Sequence, residues 1–200
     1  MGIGEEEEEG ASEVSPGKAL GHGIATNRQL VSLDISGNRF PASELSPIMG
    51  AMDANFTLIR LKADNQRFDD VSTLQLAGSI ENTRRYLHLD LTKCDIGPRA
   101  GTVIGLALEN LRKLQVINLS DNALGEKVAK KMAALLSNRK MRISTLRLSN
   151  NDFGSEGCMH IIAVIPNNKV RFNEGSLMKI FNVIEQCDAV LILSFDLGNC

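Results

Sequence analysis

The sequence contains no tryptophan, one tyrosine and seven phenylalanines in 200 residues. A core built with so few rings must be filled by aliphatic side chains, and a surface poor in Trp and Tyr lacks two of the usual interface anchors. Cysteine is sparse as well. Cys94, Cys158, Cys187 and Cys200 stand at least 13 positions apart, which excludes the paired spacings of zinc and dithiol redox sites. The longest strongly apolar stretch, Ala189 to Leu193, falls far short of the ~20 residues that span a bilayer. Residues 1–16 have neither the basic nor the apolar region of a secretory signal. Glu6 stands where a myristoylation signal after Gly2 has Ser or Thr. No stretch packs five or more basic residues together with aromatics, so no nucleic-acid partner and no membrane insertion are expected.

What the chain does have is leucine and asparagine, 25 and 16 residues respectively, within 43% apolar and 23% charged content. Such a length and composition can bury a core without disulfides or metals. The formal charge of −2 is unevenly distributed. Six of the 24 acidic residues lie in the first 13 positions, including the run Glu5 to Glu9. Without residues 1–16 the count is 22 basic against 18 acidic, a weakly basic remainder of +4.

The leucines and asparagines fall into a period. The spacing L-x-x-L-x-L-x-x-N/C-x-L occurs five times: Leu30, Leu33, Ile35, Asn38, Phe40; Leu58, Leu61, Ala63, Gln66, Phe68; Tyr86, Leu89, Leu91, Cys94, Ile96; Leu114, Ile117, Leu119, Asn122, Leu124; and Ile143, Leu146, Leu148, Asn151, Phe153. Anchors at 38, 66, 94, 122 and 151 are separated by 28, 28, 28 and 29 residues. This is the leucine-rich repeat pattern. Ten residues after each anchor stand Ile48, Leu76, Ile104, Met132 and Ile161, and fourteen after stand Met52, Ile80, Leu108, Leu136 and Ile165. The separation of four places each pair on one helical face. Every unit therefore reads as strand, turn and helix, and the chain as an α/β solenoid with parallel strands on the concave side and helices on the convex side.

The polar anchor sits where the chain leaves the strand, positioned to bond backbone groups that burial would otherwise leave unpaired. Cys94 occupies such a slot and reads as a buried ladder residue. Gly97, Gly125 and Gly154 are expected to supply the bends, Asn82, Asn110 and Asn138 to close helices, and Pro47 to lie within the first turn or so of its helix.

The period also divides the chain. Leu20 and Ile24 make Gly17 to Asn27 the helical half of an earlier repeat, giving an acidic disordered leader over 1–16 and an array over 17–165. After Pro166 the next anchor is missing. Leu177, Ile180, Phe181 and Ile184 form a helical stripe, and Val190, Leu193 and Phe195 have strand spacing, in an irregular terminal repeat over 166–200. An apolar strand without a cap suggests a fragment of a longer protein.

Chemistry has no candidate constellation: no phosphate-cradling glycine loop, no metal-ligand spacing around His22, His88 or His160, and so no catalytic residue, cofactor or metal is expected. The variable strand positions remain. Of these Arg60, Lys62, His88, Asp90, Asn118, Arg147 and Ser149 are the candidate partner-binding residues, with Arg60 and Arg147 as the natural anchors. The alternative is that they are solvated strand residues. Asn55-Phe56-Thr57 and Asn118-Leu119-Ser120 are glycosylation-type triplets that matter only in a secreted protein.

A 28–29 residue unit with full helices resembles the ribonuclease-inhibitor-like leucine-rich repeats, which are intracellular horseshoes. Within that branch LHLDLTKCDIG (87–97), LQVINLSDNALG (114–125) and LLSNRKM (135–141) resemble the repeat region of the CARMIL family, cytoplasmic regulators of actin capping protein. The resemblance implies a cytoplasmic protein-interaction scaffold with actin-regulatory protein partners. The family's membrane-binding, dimerising and capping-protein-binding segments have no counterpart here. LSDNALG also resembles the GTPase-activating proteins of the nuclear-transport GTPase, for which Arg99 would be the exposed arginine. Sensor repeats of a nucleotide-binding immune receptor are the remaining alternative.

Overall fold

A computed structural model describes residues 14–138 and 140–164 of the chain. Residues 1–13 of the expected leader, Ile165 and the expected terminal repeat at 166–200 lie outside the described residues. Among the described residues six α-helices, α1 (Pro16–Thr26), α2 (Ala42–Ala51), α3 (Asp70–Thr83), α4 (Pro98–Leu108), α5 (Glu126–Ser137) and α6 (Gly154–Val164), alternate with five short strands. The strands are β1 (Ser32–Asp34), β2 (Arg60–Lys62), β3 (His88–Asp90), β4 (Val116–Asn118) and β5 (Thr145–Arg147). They form one parallel sheet in chain order. Register equals period: Leu33, Leu61, Leu89, Ile117 and Leu146 lie side by side. Strands stack about 4.8 Å apart whereas helices need about 8–10 Å, so the array curves with its strands on the concave side. It is a leucine-rich repeat solenoid.

The two apolar periods meet between the layers. Leu61, Leu89, Leu91, Ile96, Leu114 and Leu124 are fully buried, as are Ile48, Leu76, Ile104, Met52, Ile80 and Leu108 from the helices. Tyr86 fills the leading slot of its repeat, and its hydroxyl meets Ser79 Oγ at 3.0 Å. Burial pushes that phenol up to about 12.

The anchors stitch consecutive units. Asn122 Nδ2 donates to Leu91 O (2.9 Å), Leu119 O (3.0 Å) and Ser120 O (3.1 Å), while its Oδ1 accepts from Cys94 N (3.0 Å) and Ile96 N (3.1 Å). Gln66 and Asn151 reach back in the same way, to Ile35 O and Leu119 O. Cys94 is indeed a buried rung: its Sγ donates to Ala63 O at 2.9 Å.

The bend itself is made elsewhere than expected. The residue before each anchor takes the left-handed conformation: Gly37 (φ 72°), Asn65 (58°), Lys93 (54°), Asp121 (56°) and Asn150 (55°). Gly97 and Gly125 are extended N-caps at φ −80° and −93°, and of the three expected glycines only Gly154, at φ 64°, uses its freedom. Asn138 caps α5 as expected, but Asn82 lies inside α3, which ends on Arg84 at φ 49°. Glu109, one residue before Asn110, caps α4. Pro47 is the sixth residue of α2 and not in its first turn, so it removes an interior helical hydrogen bond. Its carbonyl faces α1 closely: a Cβ on Gly21 would lie 2.8 Å from Pro47 O.

Candidate functional site

Parallel pairing in register turns the variable strand positions into rows. One runs Ser32, Arg60, His88, Val116, Thr145, and the next Asp34, Lys62, Asp90, Asn118, Arg147. Six of the seven candidate residues thus lie on two adjacent lines of the concave sheet. Ser149 follows beyond β5, where its carbonyl accepts from Asp121 N at 2.8 Å. Nothing in a single strand of three residues could make such a surface.

Along the second row the charges alternate. Lys62 Nζ lies 4.0 Å from Asp34 Oδ2 with both side chains mostly exposed, a contact worth little. Asn118 Nδ2 donates to Asp90 Oδ2 at 3.4 Å. Several of these groups also shape the backbone. Asp90 Oδ1 accepts from Thr92 N (3.2 Å) and Thr92 Oγ1 (2.6 Å), Asp34 Oδ1 from Ser36 N (3.0 Å), and Asn118 Oδ1 from Ser120 N (3.2 Å). A side-chain acceptor two residues ahead of an amide closes the strand exit as an Asx turn. Hydrogen bonds from the Ser36 side chain and backbone hold the Asp34 carboxyl below its usual range.

Asn118 departs from expectation. It is buried, at 8% exposure, as is Ser120, with its side chain bonded to Asp90 and to the exit turn. Arg60, Lys62 and Arg147 are exposed, and His88 and Asp90 half-buried. Partial burial, and secondarily the Arg60 guanidinium, hold the His88 imidazole below its ordinary pKa, so it is neutral near pH 7.

The glycosylation-type triplets are closed by the fold. Asn55 is buried, its Nδ2 donating to Ile24 O (2.7 Å) and Asn27 O (3.0 Å) and its Oδ1 accepting from Leu58 N (2.8 Å). Asn118 is buried likewise. Arg99 is exposed at the start of α4, on a shallow groove of about 660 Å³ shared with Pro98, Glu126 and Lys130. Glu126, Glu156 and His160 bring potential ligand atoms within 4.8 Å of one another. The Lys130 ammonium pairs with Glu126 at 2.5 Å and Glu156 at 3.6 Å and already supplies the positive charge those carboxylates need.

One cluster escaped the reading by motif. Phe56 is half-exposed at the start of the β2 loop, with the guanidiniums of Arg28 and Arg85 at 5.4 and 5.6 Å from its ring centroid. The only signal in the sequence is the period, since these three residues are 28 and 29 apart.

Residues 143–161, the fifth repeat, match the protein family described as Leucine Rich repeat. No curated protein matches the chain. Among solved structures the chain is similar to the tropomodulin C-terminal domain of Caenorhabditis elegans, with a TM-score of 0.61 and 13% identity over 82% of this chain and 100% of that one. At that identity the likeness is one of fold. Among the described residues no helix is long and apolar enough to cross a membrane.

Proposed function

We propose that the chain works by binding and not by catalysis, as a protein-interaction scaffold whose concave strand face receives the partner. The observation that carries this reading is the pair of in-register strand rows, polar at every position but Val116. Arg60, Lys62 and Arg147 are exposed there and do nothing for the core, which leaves them free for recognition. A row of alternating charge favours a partner of complementary pattern over a uniformly charged one. The finer assignment is to a cytoplasmic regulator of actin filament capping and assembly. It rests on the resemblance of 87–97, 114–125 and 135–141 to the CARMIL repeats and is consistent with the solenoid fold.

Affinity capture from cytosol with the whole chain and with its Arg60→Ala/Arg147→Ala variant tests both levels. Recovery of actin-regulatory proteins by the unsubstituted chain, and their loss with the variant, is the expected result. Recovery that is identical for both chains would move the binding site off the concave face. Recovery of proteins unconnected with actin would remove the finer assignment and leave the scaffold.

A further inference from the structure

Because all five strands are parallel and in register, every helix-to-strand loop arrives at the same rim of the sheet. That rim is basic. Arg84 and Arg85 precede β3, Arg112 and Lys113 precede β4, and Lys140 and Arg142 precede β5, all of them exposed. Arg28, ahead of β1, extends the line. The nearby carboxylates are Asp53, Glu81 and Glu109; Asp53 accepts from Asn82 Nδ2 at 2.9 Å and Glu109 pairs with Lys131 at 3.0 Å. Among the described residues the side chains of Arg112, Lys113, Lys140 and Arg142 make neither an ion pair nor a hydrogen bond. The opposite rim differs in sign, with Asp64, Asp69, Asp95, Asp121 and Asp152 against Arg39, Arg67 and Lys93.

A row of exposed like charges repels itself and contributes nothing to folding. Between Arg28 and Arg85 in this row stands an apolar group. Phe56 is 51% exposed, and the two guanidiniums over its ring are held in place, Arg28 Nη1 donating to Ala54 O at 3.0 Å and Arg85 Nη1 to Phe56 O. An aromatic ring fixed outward between arginines is the composition of an interface anchor.

We propose that this rim docks an acidic segment of a protein partner, laid across the loops, with an apolar side chain of the segment against Phe56. Five loops at about 4.8 Å spacing make a line of about 20 Å, the length of about six extended residues. The cations follow that line and do not spread over a face. Among the described residues Phe56 is the one exposed ring on this rim, whereas a single-stranded nucleic acid stacks successive bases on several. The guanidiniums beside it are bonded to carbonyls of its own loop, so inserting the ring into a bilayer would carry charge into hydrocarbon. The proposal does not depend on what occupies the concave face.

A fluorescein-labelled peptide of glutamates flanking one leucine, of about eight residues to cover the line, titrated with the whole chain and followed by anisotropy, provides the test. Saturable binding that weakens with added salt is expected. The Arg112→Glu/Lys113→Glu/Arg142→Glu variant should lose about tenfold or more in affinity, Phe56→Ala a smaller factor, and Lys127→Gln, at an exposed cation of α5 away from the rim, nothing. Circular dichroism checks that each variant is folded, and Arg112→Gln/Lys113→Gln/Arg142→Gln replaces the charge reversal where that chain does not fold. Absence of binding to the unsubstituted chain, or affinity of the folded triple variant within about twofold of it, overturns the proposal. So does capture of phosphatidylserine vesicles or polyuridine in place of the peptide. Peptide binding that emerges only when Glu5 to Glu9 are all changed to Gln would assign the rim to the chain's own leader, and that too overturns it.

Discussion

Replacing Asn122 by Ala removes five hydrogen bonds at one point of the ladder. The amides of Cys94 and Ile96 lose their acceptor, and Leu91 O loses a donor from the next repeat. Leu91, Cys94 and Ile96 are all fully buried, so water cannot replace the side chain without opening the interface between the third and fourth repeats. Each buried group left unpaired costs about 1–3 kcal/mol. The two amides alone therefore cost about 2–6 kcal/mol, and about 3–5 kcal/mol is expected after local relaxation. Asn38→Ala is the matched control. Asn38 is exposed and bonds Ile35 O (2.8 Å) and Ser36 O (3.3 Å), both in its own repeat, so its loss should cost no more than about 1 kcal/mol. Urea unfolding followed by far-ultraviolet circular dichroism gives both differences. Equal costs for the two variants, or a cost below about 1 kcal/mol for Asn122→Ala, would refute the view that the ladder holds neighbouring repeats together.

Four further outcomes are expected. Lys93 has φ 54° with no glycine or asparagine to ease it, so Lys93→Asn should stabilise the chain by about 0.5–1 kcal/mol in the same urea assay. Burial pushes the Cys94 thiol up to about 12, so iodoacetamide at neutral pH should leave it unmodified in the folded chain and label it in urea, read by mass spectrometry. Asp69 accepts from Ser72 N at 2.8 Å and Ser72 Oγ at 2.6 Å, and Asp69→Ala should cost about 1 kcal/mol. The Ser72 bonds hold that carboxyl below its usual range. The difference from Asp69→Ala should thus be complete above pH ~4 and vanish as pH falls through the depressed folded value. Gly21→Ala would place a methyl against Pro47 O and should lower stability by about 1–3 kcal/mol, measured by thermal unfolding.

The repeat was legible because its signal is redundant. Five anchors and the paired helix stripe carry one period, and Ile48, Leu76 and Ile104 are buried as that period requires. The left-handed turn was less legible. Gly37, Asn65, Asp121 and Asn150 are of types that tolerate positive φ, but Lys93 breaks the series and the same types recur outside the turns. The glycines nearby were the more visible candidates, yet Gly97 and Gly125 serve as extended caps. Asn118 looked like any variable strand residue, yet it is buried and bonded to Asp90, 28 positions earlier. The basic rim is invisible to any window along the chain. Its charges come as pairs or singly, at 28, 84–85, 112–113 and 140–142, and no window holds enough of them to register.

Taken alone, the order of residues specifies the unit, its length and the lateral register, because apolar periodicity dictates which face of each segment must leave water and equal spacing then aligns the strands. It does not specify which side chains from different units meet. Asn122 with Cys94, Asn118 with Asp90, and Phe56 with Arg28 and Arg85 are contacts across 28 or 29 positions. Curvature of the stack and the shared rim bring them together. Stacking is what converts a scattered charge pattern into a surface, since electrostatic and hydrogen-bond energies depend on distance in space and not along the chain.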